Sequence, residues 1–245
     1  MTRIEIPALS PFFAGHFPGH PILPGIAHLA LVARELGGVS FTEVRNLKLR
    51  RPVLPGDVLD VTLERGEEGL VKFELRRGEE AVSGGIVRTG EGDLAPVAIS
   101  LTSGSYPPPG DLIPHAPPAL LVRDMLEVTP EGASAIAWIP GDSPFVQGGR
   151  APAFAGLEAG AQTAAVLEAL GRSGEGAGPR IGYVVAIRNA RFRTAWLPAE
   201  QPLAVSVKLA GSAPPLSIYE VKAGGEAELV TGLVSTYVAS TPTAS

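Results

Sequence analysis

The sequence predicts an α+β protein made of two copies of one unit, each an antiparallel sheet wrapped around a central helix. Three observations carry this. In each half of the 245 residues, a loop rich in proline and glycine leads into one apolar helix, and runs with strand character follow. A lone helix cannot hide its apolar stripe, and the meander that follows supplies the covering surface. Second, Arg45-Asn46-Leu47-Lys48-Leu49-Arg50, followed by Leu54-Pro55-Gly56-Asp57, recurs as Arg188-Asn189-Ala190-Arg191-Phe192-Arg193, followed by Leu197-Pro198-Ala199-Glu200, at a constant offset of 143. Third, residues 91–112 are rich in Gly, Pro and Ser, with Pro107-Pro108-Pro109-Gly110 as the seam. The division is therefore an N-terminal unit over 1–92, a linker over 93–111 and a C-terminal unit over 112–245.

Taken in order, Thr2–Ile6 alternates like a short strand and leads through Pro7–Phe13 into the loop at Gly15–Gly25. A helix is expected from Pro24 to Leu36, with Pro24 just inside its first turn and Gly37-Gly38 stopping it. Strands follow at Phe41–Val53, Val58–Arg65, Val71–Arg77 and Ala81–Thr89, separated by Pro55-Gly56-Asp57, Gly66–Gly69 and Gly78–Glu80. Val97–Leu101 has strand character and fits either side of the seam. The second unit opens with a turn at Pro114-His115, then strands at Ala119–Glu127 and Ser134–Ile139. A Pro/Gly-rich segment at Pro140–Pro152 precedes a helix from Pro152 to Leu170. Further strands are expected at Gly182–Phe192, Pro202–Leu209, Leu216–Lys222 and Ala227–Val238. The helices align at an offset of 128, and the extra 15 residues fit the longer second helix and the loop at 171–179.

Composition removes several function classes. Apolar residues make up 45% of the chain, enough for a packed core. A net charge of −5 argues against nucleic acid. With no cysteine there is no disulfide, thiolate metal site or cysteine nucleophile. No basic-then-apolar leader and no membrane-length apolar run is visible, so the expectation is a cytoplasmic protein without a membrane partner.

The chemistry-bearing stretch is Gly15-His16-Phe17-Pro18-Gly19-His20-Pro21-Ile22-Leu23-Pro24-Gly25. Three prolines and three glycines make this a shaped loop. It delivers His16 beside a helix N-terminus, where free N–H groups can bind a developing anion. A base held near such donors suits removal of a proton from the carbon next to a carbonyl. The motif resembles the signature of the 3-hydroxyacyl-ACP dehydratases of the FabA/FabZ type, which implies a tandem (double) hotdog fold. In that family an acidic residue follows the histidine by fourteen positions; here that position is Ala30.

The second copy resembles the non-identical partner subunits of the same superfamily, through Leu112-Ile113-Pro114-His115-Ala116-Pro117-Pro118 and Gly156-Leu157-Glu158-Ala159-Gly160-Ala161-Gln162. It keeps the acid as Glu158 and lacks the histidine, since His16 maps near Pro144. Together the halves resemble a fusion of the paired dehydratase subunits of aryl polyene clusters. The losses are complementary. The resemblance therefore implies one composite site, with His16 as base and Glu158 as acid, and a dead mirror position at Ala30 and the Pro144 region. It also implies oxyanion or substrate binding by Gly25, Phe17 and Gln162, and a buried Glu158 whose pKa is raised by its apolar surroundings. The substrate would be a 3-hydroxyacyl thioester on the phosphopantetheine of acyl carrier protein or CoA, needing no metal or organic cofactor. Glutamate at 158 leans toward dehydration without isomerisation.

His20 and His28 have no matching catalytic position and read as structural or surface groups; His115 reads as a turn residue. Arg45, Lys48, Arg50 and Arg51 form either a solvated strand face or a contact for the carrier protein. Association of the pseudo-dimers into homo-oligomers is left open. Competing functions are a hotdog acyl-thioesterase and a catalytically silent partner of another dehydratase.

Overall fold

A computed structural model describes residues 1–95, 104–172 and 180–238. The first half supplies β1 (Thr2–Glu5), α1 (Ala27–Glu35), β2 (Phe41–Leu49), β3 (Val58–Arg65), β4 (Leu70–Arg77) and β5 (Glu80–Thr89). One helical turn, α2 (Pro109–Leu112), opens the second half. It continues with β6 (Val122–Thr129), β7 (Gly132–Trp138), β8 (Arg150–Pro152), α3 (Ala155–Gly171), β9 (Gly182–Phe192), β10 (Trp196–Pro198), β11 (Pro202–Ala213), β12 (Leu216–Ala223) and β13 (Val230–Val238). The strands alternate buried and exposed positions, as one-sided packing requires.

Eleven strands form one sheet in the order β1-β3-β4-β5-β2-β9-β13-β12-β11-β7-β6, and β8 and β10 make a small separate ribbon. The two half-sheets follow the same path, and they join where β2 runs antiparallel to β9. That seam is the sequence repeat itself: Asn46 lies opposite Arg188, Leu47 opposite Ile187, and Val44 opposite Ala190. Val44, Leu47, Ile187 and Ala190 are all fully buried, so the junction belongs to the common core. This is the double hotdog arrangement.

The two central helices differ in how they are covered. α1 buries Ala27, His28, Leu29, Leu31 and Val32 and leaves Arg34 toward solvent. α3 is buried on nearly every side over its first three turns, because its alanines and glycines let strands approach closely. A β-carbon at Gly160 would overlap Val221 of β12, and one at Gly156 would lie 3.1 Å from a Val230 methyl on β13.

Two helix starts differ from expectation. Pro24 lies ahead of α1, its carbonyl accepting from the Ala27 N–H at 2.9 Å in a tight turn. Pro152 closes β8, which pairs with β10, and α3 begins at Ala155. Three-residue strands carry too little alternation to be seen in sequence. β2 ends at Leu49, short of Val53. The expected strand at Val97–Leu101 and most of the loop at 171–179 lie outside the described residues. Among those residues, no helix is long and apolar enough to cross a membrane.

Candidate active site

The His16 loop is fixed by its own backbone. His16 N–H donates to Phe13, His20 N–H to Phe17, and Leu23 N–H reaches Val53. Phe17 takes φ +62°, a conformation that costs a non-glycine residue roughly 1–3 kcal/mol and clusters at functional sites. His16 Nδ1 lies 2.7 Å from the Ile22 carbonyl oxygen. A carbonyl only accepts, so Nδ1 carries the hydrogen and Nε2 keeps the lone pair.

Glu158 sits in the first turn of α3, from the other half, and is buried. Gln162, one turn later, donates from Nε2 to Glu158 Oε1 at 3.1 Å and to the Ala119 carbonyl at 2.8 Å. Its Oε1 accepts from the Leu121 N–H at 2.8 Å and the Val122 N–H at 3.4 Å. Both ends of the amide are thus occupied by protein, and Gln162 acts as a brace for the carboxylate.

A third residue, which the sequence reading treated as a turn, completes the cluster. His115 forms an antiparallel bridge with His16, and Ala116 N–H donates to the Gly15 carbonyl at 2.9 Å. Gly15 permits this: its φ is +73°, and a β-carbon there would overlap the Ala116 carbonyl oxygen. His115 Nε2 comes to 3.6 Å from Glu158 Oε1. The polar atoms of His16, His115 and Glu158 all lie within 4.8 Å of one another, and no other such trio of His, Asp or Glu occurs among the described residues. Phe17 packs its ring against both imidazoles, at 4.2 Å from His16 and 4.9 Å from His115.

The electrostatics differ from expectation in one respect. Burial is the main reason the His16 imidazole falls to about 4, with His115 adding and Glu158 opposing, so His16 is neutral at neutral pH. Burial alone would push the Glu158 carboxyl up, as the sequence reading expected. The contacts with His115, His16 and Gln162 outweigh it, and the carboxyl lies below its ordinary value.

These groups line one cavity of about 600 Å³ between the halves. Glu158, Ala161, Gln162, Ala165 and Glu168 of α3, with Arg172 just past its end, line it in a row about 21 Å from first to last at the helical rise. Phe17 and Gly25 also line it. A β-carbon at Gly25 would meet a Leu49 methyl at 2.8 Å and Val184 at 3.3 Å, so glycine keeps the two halves close there. Of the four cations expected to meet a carrier, Arg50 and Arg51 line the cavity, joined by Arg172 and Arg180. Arg45 lies outside it, paired with Glu43 at 3.2 Å, and Lys48 is exposed on β2. The mirror position does not form. Ala30 borders neither cavity, and Pro144 borders a small recess on the other side of His16 and Glu158.

A family model described as ApeP dehydratase matches residues 107–244, more than half of the chain. The chain belongs to the ApeP-like dehydratase family. A second family model, ApeI dehydratase, matches residues 1–86. Each half of this ApeP-like protein is therefore similar to one member of a known pair. The FabZ 3-hydroxyacyl-acyl-carrier-protein dehydratase of Polaromonas sp. is 39% identical over 98 residues, 33% of this chain and 61% of that protein. The chain thus spans about three fifths of the length of the curated relatives it matches. The dehydratase heterocomplex ApeI:P from Xenorhabdus doucetiae aligns with a TM-score of 0.51 at 21% identity, covering 55% of this chain and 93% of that one. The dehydratase domain of PpsC from Mycobacterium tuberculosis, solved with C12:1-CoA, aligns over 97% of this chain and 92% of that one at a TM-score of 0.65 and 17% identity. These structural likenesses support the double hotdog fold.

Proposed function

We propose that the protein is a hydro-lyase that dehydrates a 3-hydroxyacyl thioester, carried on acyl carrier protein, to the trans-2-enoyl thioester. The observation that carries this reading is the meeting of a neutral imidazole from one half and a carboxyl from the other within 4.8 Å in a shared cavity. His16 Nε2 removes the C2 proton, its ring held by the Ile22 carbonyl. As that proton leaves, negative charge builds on the thioester oxygen, and the Gly25 N–H ahead of α1 is the expected donor to it. One such donor is worth roughly 3–4 kcal/mol in the transition state. Glu158, protonated in the reacting complex, passes its proton to the 3-hydroxyl, which departs as water. So written, the reaction calls for no metal or organic cofactor.

The 21 Å row along α3 separates the reacting end at Glu158 from the Arg172 end. Arg50, Arg51, Arg172 and Arg180 suit the phosphate of a pantetheine arm, and this reading leaves Arg45 and Lys48 to meet the acidic carrier outside the cavity. The test is enoyl absorbance on a 3-hydroxyacyl thioester, with free thiol followed in parallel. Wild type forms enoyl product without thiol release, and His16→Ala and Glu158→Gln each lose about 10²-fold or more in kcat. Thiol release without enoyl product marks a thioesterase, and an inactive wild type marks a silent partner.

A further inference from the structure

We propose that His115 and Glu158 hold one proton between them, and that this pair, not the carboxyl alone, is the acid that protonates the departing 3-hydroxyl. The inference rests on the dehydratase reading above and adds a third residue to it, from the opening turn of the second half. Its first support is geometric. Glu158 Oε1 faces protein, bonded by Gln162 at 3.1 Å and approached by His115 Nε2 at 3.6 Å, which leaves Oε2 for substrate. The side chains of His115 and Glu158 are each 8% exposed, so their proton exchange is shielded from bulk water.

The second support is charge. A carboxylate in an apolar cavity needs a compensating cation. His16 cannot supply it while acting as base, because its reaction requires a free lone pair on Nε2. His115 is the remaining group in reach. Its backbone bridge to His16 sets it there without using the side chain, and its Nδ1 is buried with no partner among the described residues. A structural imidazole normally satisfies both nitrogens when buried; the unpartnered Nδ1 sets His115 apart from such a group.

The step balances as follows. Before reaction His16 is neutral and the pair carries one proton, with zero net charge over the three groups. His16 Nε2 takes the C2 proton, the C–H electrons form the C2=C3 bond, and the C3–O bond breaks with its electron pair. The pair's proton, carried on Glu158 Oε2 at this point, goes to that oxygen, giving water and leaving the carboxylate beside a neutral His115. His16 ends as imidazolium beside the deprotonated pair. The rings of His16 and His115 meet edge-on at 5.2 Å, close enough for one water to carry the proton back.

The titratable groups facing His115 are His16 from the loop and Glu158 from α3, with Tyr183 of β9 beyond the Phe17 ring. Two variants separate positioning from proton storage. His115→Gln keeps an N–H donor at the Nε2 position but cannot take up a proton; His115→Phe keeps only the ring. The proposal expects both to lose about 10²-fold in kcat with KM changed less than about threefold. It also expects the ¹³C titration of the Glu158 carboxyl to move to higher pH in both. For the wild type the proposal expects the Glu158 carboxyl and His115 ring signals to move together over one pH range, a measurement that does not depend on any variant folding. His115→Gln with wild-type kcat and a wild-type carboxyl curve overturns the proposal, as do independent titrations in the wild type. An inactive wild type whose two signals are coupled overturns the dehydratase reading and leaves the pair standing.

Discussion

The two halves share a strand path and differ in what their helices are asked to do. α1 spans nine residues and presents only part of its surface to the sheet; its acid position is Ala30, which borders neither of the two cavities described. α3 spans seventeen residues, is sheathed on nearly all sides, and carries Glu158 and its brace Gln162 on the cavity face. The first half in turn keeps the strained loop that fixes His16. A duplicated scaffold can divide labour in this way because the seam at β2 and β9 brings both halves to one cavity. The retained histidine of one copy then lies within 4.8 Å of the retained acid of the other.

The comparison breaks most completely at Gly15. Gly15→Ala places a β-carbon against the Ala116 carbonyl in a left-handed conformation, so the bridge between the histidine loop and the second half must open. A stability loss of more than about 3 kcal/mol is expected, with loss of activity, measured by denaturant unfolding and the enoyl assay. Next is His28, buried on α1 with Nδ1 2.9 Å from Ser83 Oγ and lowered by burial to about 4. The unfolded chain takes up this proton near pH 6.5 and the native one only near 4. Stability is therefore full above 6.5 and falls as pH drops toward 4, by about 3 kcal/mol from this group. His28→Gln removes that share of the pH dependence, as unfolding midpoints at pH 7 and 4.5 can show.

Gln162→Leu is expected to cost about 1–3 kcal/mol, because the Leu121 N–H and the Ala119 carbonyl lose their partner, and to lower kcat through a loosened Glu158. The smallest effect is expected from Ala30→Glu in the Glu158→Gln background. Restoring the family acid in the first half recovers no activity, since no histidine of the second half lies opposite it.

Much of this was legible in the residues. The repeat that announced two copies turned out to be the two strands that pair at the seam, and the His16 motif and Glu158 pointed to one cavity. What stayed hidden depends on distant chain. His115 is 99 residues from His16, and only the bridge at Gly15 reveals their contact. The direction of the Glu158 shift depends on that same contact, since burial by itself pushes the other way. The helix starts expected at Pro24 and Pro152 came too early, because Pro24 opens a turn ahead of α1 and Pro152 closes a short strand.

The most direct test of a single shared centre is a double-mutant cycle on kcat with His16→Ala, Glu158→Gln and both together. One composite site predicts that the double variant is about as impaired as the worse single variant, because removing either partner already disables the unit. Losses that multiply, or either single variant remaining near the wild-type rate, would contradict it.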